Sequence, residues 1–274
     1  MDVKLGICNF CVPGTGIFAP QFAAEAGLDG MSIEFGTYEN HFPSGTRRVQ
    51  EAYIKAREQY KIEYCNIGMS CFDFIPFHAH KGHPMYPIVK GALKSAIDGA
   101  QYMQIPMVFV PAFGVSSITS EDEFDNAVEM FRYACDYAGE KGILISSENK
   151  MRPAEAIEMV ERVNEENFSI FYDSYNYFYE KGWDQLEILK ELYPYLGPQL
   201  HVKDGRPGVL AGSLLGEGDS GFYQVMDYLK KQNYSGWVIL ENLYEKRPEN
   251  TFETDVYELF RKDVEILRHA AGHA

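Results

Sequence analysis

Ile143-Leu144-Ile145-Ser146-Ser147-Glu148 is a short apolar run that stops on a carboxylate, and the chain repeats that form downstream. Ile170-Phe171-Tyr172 ends at Asp173, Leu200 leads to His201, and Val238-Ile239-Leu240 ends at Glu241. Runs that are nearly continuous in apolar residues, instead of alternating with polar ones, suit parallel strands covered on both faces. Upstream the same type of run recurs at 3–9, 30–35, 63–69 and 107–112, and with 143–149, 169–173, 199–203 and 237–242 it makes eight strands. Amphipathic stretches separate them. Over 86–103, Ile88, Ala92, Leu93, Ala96 and Ala100 recur at helical spacing on one face. Over 121–141 the spacing predicts a second helix, capped by Thr119 or Ser120 with Glu123 answering in a capping box. Gly27, Gly142 and Gly236 each stand just before a strand, where the preceding helix must end in a left-handed turn.

Eight strand-helix units within 274 residues match the count and size of an α/β fold built as a single (β/α)8 TIM barrel, one domain over residues 1–274. The competing doubly wound sheet has fewer strands, and no Gly-x-Gly-x-x-Gly follows the first strand here. A composition that is 46% hydrophobic and 24% charged excludes a disordered or collagen-like chain. Forty Asp and Glu against 25 Lys and Arg leave a net charge of -15, which argues against a nucleic-acid partner. No apolar run approaches the roughly 18 residues of a membrane span, and residues 3–8 read as a strand instead of an export leader. The five cysteines (8, 11, 65, 71 and 135) are odd in number and sit mostly in apolar text, as buried reduced thiols of a cytoplasmic protein do. The longest irregular stretches are 73–87 and 204–221, both expected to be loops.

In a barrel of this kind chemistry sits at the carboxyl ends of the strands. Glu148, Asp173, His201 and Glu241 end four successive strands, so their side chains are expected to converge on one divalent ion of the Mn, Mg, Co or Zn kind. Each also has an ordinary structural explanation: a solvated loop glutamate for Glu148, an Asx turn for Asp173, a bond from His201 to Asp204, an ion pair with a lysine or arginine for Glu241. Glu34 ends the second strand and is a candidate for binding substrate hydroxyls; Asn9, Phe10 and Phe113 close strands one and four, where an aromatic ring can wall a sugar pocket. Lys150, Arg152, Lys203 and Arg206 bring positive charge to the mouth, suited to a phosphate or carboxylate, while Glu217 and Asp219 oppose it in the seventh loop. His78, His80 and His83 fit no zinc spacing and read as a loop. The abundance of Tyr (19) and Phe (18) points to self-association into a homo-oligomer.

Glu148-Asn149, Asp173-Ser174-Tyr175-Asn176, His201-Val202-Lys203-Asp204-Gly205, Gly216-Glu217-Gly218 and Leu240-Glu241-Asn242, taken in order, resemble the successive motifs of the xylose-isomerase-like superfamily of sugar isomerases and epimerases. The resemblance implies one divalent ion held by Glu148, Asp173, His201 and Glu241, and a sugar or polyol substrate; in the ketose 3-epimerase branch the two glutamates also exchange a proton with substrate carbon. Two positions depart from that branch. Asn176 stands where a substrate-binding histidine is expected, and Arg206 lies about one place out of step with the branch's arginine. The superfamily's DNA-repair endonuclease branch needs further histidines, which Val108-Phe109-Val110-Pro111-Ala112 and Asn176 do not supply. The expected function is therefore a metal-dependent isomerase or epimerase working through an enediolate, with Glu148 and Glu241 as paired base and acid. A keto-polyol dehydratase, and a sugar-binding barrel without turnover, are the alternatives.

Overall fold

The apolar runs become strands that hydrogen-bond in one closed ring. The computed structural model describes residues 1–14 and 18–273. Its strands are β1 (Asp2–Cys8), β2 (Gly30–Glu34), β3 (Glu63–Gly68), β4 (Met107–Pro111), β5 (Leu144–Glu148), β6 (Phe168–Asp173), β7 (Leu196–Val202), β8 (Asp204–Arg206), β9 (Val209–Ser213) and β10 (Ser235–Leu240). Eight of them pair in parallel in the order β1-β10-β7-β6-β5-β4-β3-β2, the closed barrel expected from the sequence. Around it lie α1 (Ala19–Glu25), α2 (Arg47–Tyr60), α3 (Tyr86–Met103), α4 (Glu121–Gly139), α5 (Pro153–Val163), α6 (Asn176–Lys181), α7 (Gln185–Leu192), α8 (Phe222–Lys231) and α9 (Val256–Ala271). Among the described residues, no helix is long and apolar enough to cross a membrane.

Local chemistry accounts for the ends. Ser120 Oγ accepts from Glu123 N–H at 3.3 Å and Glu123 Oε2 accepts from Ser120 N–H at 3.1 Å, so the capping box that starts α4 is present, with Thr119 bonded to the same glutamate. Gly27, Gly142 and Gly236 all have positive φ. The stretch 204–221 differs from the expected irregular loop. Asp204 pairs with Ser213 and Arg206 with Val209 in an antiparallel hairpin, β8–β9, turned at Pro207-Gly208, a dipeptide that favours tight turns. The hairpin lies outside the barrel ring, and its first residue organises the loop after β9: the Asp204 carboxylate accepts from the backbone N–H of Gly216 (2.8 Å), Gly218 (3.1 Å) and Ser220 (3.3 Å).

The lumen is filled in layers. Asn66 on β3 donates to Gln199 on β7 at 2.7 Å, and Gln199 donates to the Cys65 carbonyl at 2.7 Å; β3 and β7 lie four places apart in the ring, so these bonds span its interior. Phe109 on β4 and Phe171 on β6 stack at 4.6 Å with β5 between their strands, which places both rings inside. All five cysteines are free and buried, consistent with the expected reduced thiols.

The β10–β7 junction depends on a glycine. Gly236 has φ +134°, and a Cβ there would lie 2.1 Å from the Pro198 carbonyl oxygen. Gly236→Ala is expected to destabilise the fold by roughly 2 kcal/mol or more, read as a fall of several degrees in Tm; an unchanged Tm would show that the junction yields without cost.

Candidate metal centre

β5, β6, β7 and β10 are consecutive in the ring, so the residues that end them surround one patch of the barrel mouth. The register sets Asp173 beside His201 and His201 beside Ile239, and the Glu241 N–H donates to the Val202 carbonyl at 3.0 Å, one step beyond β10. Glu148, Asp173, His201 and Glu241 each present a ligand atom, and those atoms all lie within 4.8 Å of one another. The four strand-ending residues singled out in the sequence are thus brought together.

Each is held by a second group. Glu148 is buried and accepts from the Asn176 amide at 3.0 Å; burial pushes its carboxyl up to about 7 despite the opposing pull of His201. The His201 Nδ1 lies 3.4 Å from both Glu148 Oε1 and Glu241 Oε2, while its Nε2 lies 3.3 Å from Cys8 Sγ. Phe171 and Phe109 set their rings edgewise against the imidazole at 4.6 and 5.2 Å. Asp173 divides its two oxygens. Oδ1 accepts from the N–H groups of Tyr175 (2.8 Å) and Asn176 (2.7 Å), forming the Asx turn that opens α6. Oδ2 is sealed from solvent without a hydrogen bond; its neighbour is the Lys203 ammonium at 3.1 Å, close enough for an ion pair. Lys203 also pairs with Glu241. Burial pushes the Glu241 carboxyl up, but Lys203 and His201 outweigh it and hold it well below the usual carboxylate range. The structural explanations considered for Asp173 and Glu241 therefore both hold, alongside their convergence. That for His201 does not, because Asp204 is occupied with the backbone of the loop after β9.

Three carboxylates and an imidazole offer hard oxygen and borderline nitrogen donors, the set that suits Mn, Mg, Co or Zn. One lysine and one histidine cannot balance three anions in a dry site, and the unbonded Asp173 Oδ2 is a buried acceptor that such an ion would satisfy. For Nδ1 to face the ion with its lone pair, Nε2 must carry the proton and donate to Cys8 Sγ. The residues fit a divalent cation.

Beside this cluster opens a cavity of about 320 Å³ whose walls include Phe10, Glu34, Ser70, Asp73, Lys203 and Glu241. Phe10, Glu34 and Lys203 thus lie where the sequence places them. Glu34 accepts from Ser70 Oγ at 2.6 Å and from Gly36 N–H at 3.2 Å, and burial pushes it up to about 7. Two assignments need correction. Asn176, expected to donate to a sugar hydroxyl, donates to Glu148 instead. Arg206 sits exposed on the β8–β9 hairpin, 3.3 Å from the Glu217 carbonyl and near Glu249, and does not line the cavity, whereas Leu210 and Ala211 of the same hairpin do. Lys150 and Arg152 line a separate cavity of about 480 Å³ in which Lys150 is paired with Glu180. His80 and His83 accept from the N–H groups of Gly82 and Met85, ordinary loop bonds. Sequence reasoning missed Cys8 as the partner of His201 and Asp73 as a cavity wall; the position of Cys8 at the end of β1 was the available signal for the first, and the second lies in a segment without periodicity.

Residues 20–268 match the family described as xylose isomerase-like TIM barrel. The chain belongs to that family. It is 27% identical over 231 residues to the 2-epi-5-epi-valiolone 7-phosphate 2-epimerase of Actinoplanes sp., covering 84% of this chain and 83% of that protein. It is 27% identical over 184 residues to the inosose dehydratase of Histophilus somni, covering 58% of this chain and 59% of that one. Among solved structures, the D-allulose 3-epimerase from Methylomonas sp. superposes with a TM-score of 0.76 at 18% identity over 98% of both chains.

The Cys8–His201 contact and the raised carboxyls can each be tested. Cys8→Ala should weaken divalent-metal binding about 10-fold, measured by competition with a chelator, with the fold intact; unchanged affinity would show that His201 is held by its other neighbours alone. Glu34 and Glu148 (about 7) and Asp73 and Asp263 (about 6) all have raised folded pKa values. Between about pH 4.5 and 7 the native state therefore binds protons that the unfolded chain has released, and metal-free stability should fall as pH rises through that window. His201, raised above its ordinary value, acts in the same direction, whereas Glu241, held low, has given its full contribution above about pH 4.5. Denaturation midpoints against pH, taken with chelator present, check the slope.

Proposed function

We propose that the chain is a divalent-metal-dependent sugar isomerase or epimerase that moves a proton on a carbon next to a carbonyl through an enediolate. The observation that carries this reading is the meeting of Glu148, Asp173, His201 and Glu241 within 4.8 Å at the edge of a cavity into which Glu241 opens. The bound ion supplies an electrophile for the substrate's carbonyl and hydroxyl oxygens. Glu241, 15% exposed and facing the cavity, is placed to take or return the proton on one face of the substrate carbon. Glu148, deeper and held by Asn176, serves as its partner in the proton exchange. Lys203 and Glu34 hold substrate oxygens and Phe10 covers the apolar face of the ring. Asp173 and His201 hold the ion, Mn, Mg, Co or Zn, without moving protons.

The epimerase relative supports this reading over the greater part of the chain, and the metabolic character of that relative, with five reduced thiols, supports a cytoplasmic setting. The inosose dehydratase match favours a second reading, loss of water from a keto-polyol by the same base and ion. The test is a panel of ketoses, cyclic keto-polyols and their phosphates with Mn or Co, in deuterium oxide. Epimerisation gives a product of substrate composition labelled at carbon; dehydration gives one lighter by one water. Glu148→Gln and Glu241→Gln should each lower kcat by about 10²–10⁴-fold, and chelator should abolish turnover. Full turnover by Glu241→Gln would remove the reading.

A further inference from the structure

Asp73 has no part in the metal cluster, yet it forms a wall of the same cavity as Glu241 and Lys203. It belongs to the segment after β3, and β3 stands four places from β7 in the eight-strand ring, diametrically across the mouth from His201. Its electrostatic surroundings agree: burial and then the Glu241 carboxylate push it up to about 6, while Lys150 and Lys203 oppose. Among the described residues the Asp73 Oδ1 is sealed from solvent without a hydrogen-bond partner, whereas the half-buried side chain as a whole reaches the cavity wall, which leaves Oδ2 to meet a ligand.

The segment is fixed in place. Ser116 Oγ accepts from the Phe77 N–H at 2.7 Å and donates to the Ile75 carbonyl at 3.0 Å and to the Phe72 carbonyl, which clamps the chain on both sides of Asp73. Gly114 packs against the Asp73 backbone so closely that a Cβ there would lie 2.3 Å from the Asp73 carbonyl oxygen. The backbone that carries the carboxyl is therefore held in position ahead of any ligand, as that of a recognition group should be.

We infer that Asp73 is a specificity-determining, substrate-contacting residue, accepting a hydrogen bond from a hydroxyl of a polyhydroxylated substrate. Its companions define the ligand class. Glu34, Asp73 and Glu241 supply acceptors, Lys203 and Lys246 supply donors, and Phe10, Leu210 and Leu243 offer apolar surface. Carboxyls set against apolar walls recognise the hydroxyls and C–H face of a sugar or cyclitol ring, and about 320 Å³ admits one small ligand.

This inference rests on the proposed sugar-converting site, and its test separates the two. Wild type, Asp73→Ala and Asp73→Asn, each checked for equal metal content, are assayed on the best substrate of the panel and on analogues of it that each lack one hydroxyl. Wild type should disfavour one particular deoxy analogue by about 10²-fold in kcat/KM; Asp73→Ala should lose about 10- to 10²-fold on the parent and show little further loss on that analogue, with Asp73→Asn in between. Equal losses on every analogue, or no loss, overturn the inference and leave the isomerase reading standing. Should wild type convert nothing, that reading falls, and equilibrium binding of ketoses, myo-inositol and their monodeoxy forms to the metal-loaded protein decides for Asp73. The same position-specific pattern in Kd supports it. Equal Kd for wild type and Asp73→Ala, or no binding of any polyol, overturns it.

Discussion

Three carboxylates share one water-poor corner of this barrel, and most of the surrounding structure answers the repulsion they create. Glu148, Asp173 and Glu241 converge with His201 within 4.8 Å, and among the described residues the cations paired with them are the imidazole and the Lys203 ammonium. Like charges this close, in low dielectric, would otherwise drive the strand ends apart or force the carboxyls to stay protonated. The arrangement persists because each anion is gripped from behind: Asp173 by two backbone N–H groups, Glu148 by Asn176, Glu241 by Lys203. The imidazole between them is steadied by Cys8 and two phenyl edges.

The barrel was legible because its cause is local. Strands buried on both faces must be apolar along their whole length, so the runs at 107–111 and 144–148 announce themselves without any partner in view. The convergence of Glu148, Asp173, His201 and Glu241 was legible for a related reason: a polar residue that ends such a run is carried to the mouth by the strand itself. Lys203 was legible as a charge at the mouth, but its pairing with Asp173 and Glu241 depends on register between β6, β7 and β10, which no single segment encodes. Arg206 misled because Pro207-Gly208 turns the chain back at once into a hairpin whose Leu210 and Ala211 face the cavity, while the guanidinium reaches the Glu217 carbonyl. Asn176 follows an Asp whose Asx turn starts α6, and that turn swings its amide toward Glu148 instead of the cavity. Asp73 was invisible for the opposite reason. Its place is fixed by Ser116 and Gly114, about forty residues away in sequence.

The same division separates rigidity from recognition in the finished site. Glu148, Asp173 and His201 sit on barrel strands whose lower layers are locked by Asn66, Gln199, Phe109 and Phe171, so their spacing is set by the ring. The cavity-facing residues Phe10, Ser70 and Asp73 come from short turns after β1 and β3. Loops on a fixed scaffold can change their side chains without disturbing the ring, whereas a change in the ring alters every distance in the cluster. A cluster whose spacing is set by the ring, beside a cavity lined from loops, is the consequence of that construction, in a chain that shares a fold with sugar epimerases and lines its cavity with an acid pair, Glu34 and Asp73, outside the four-residue cluster.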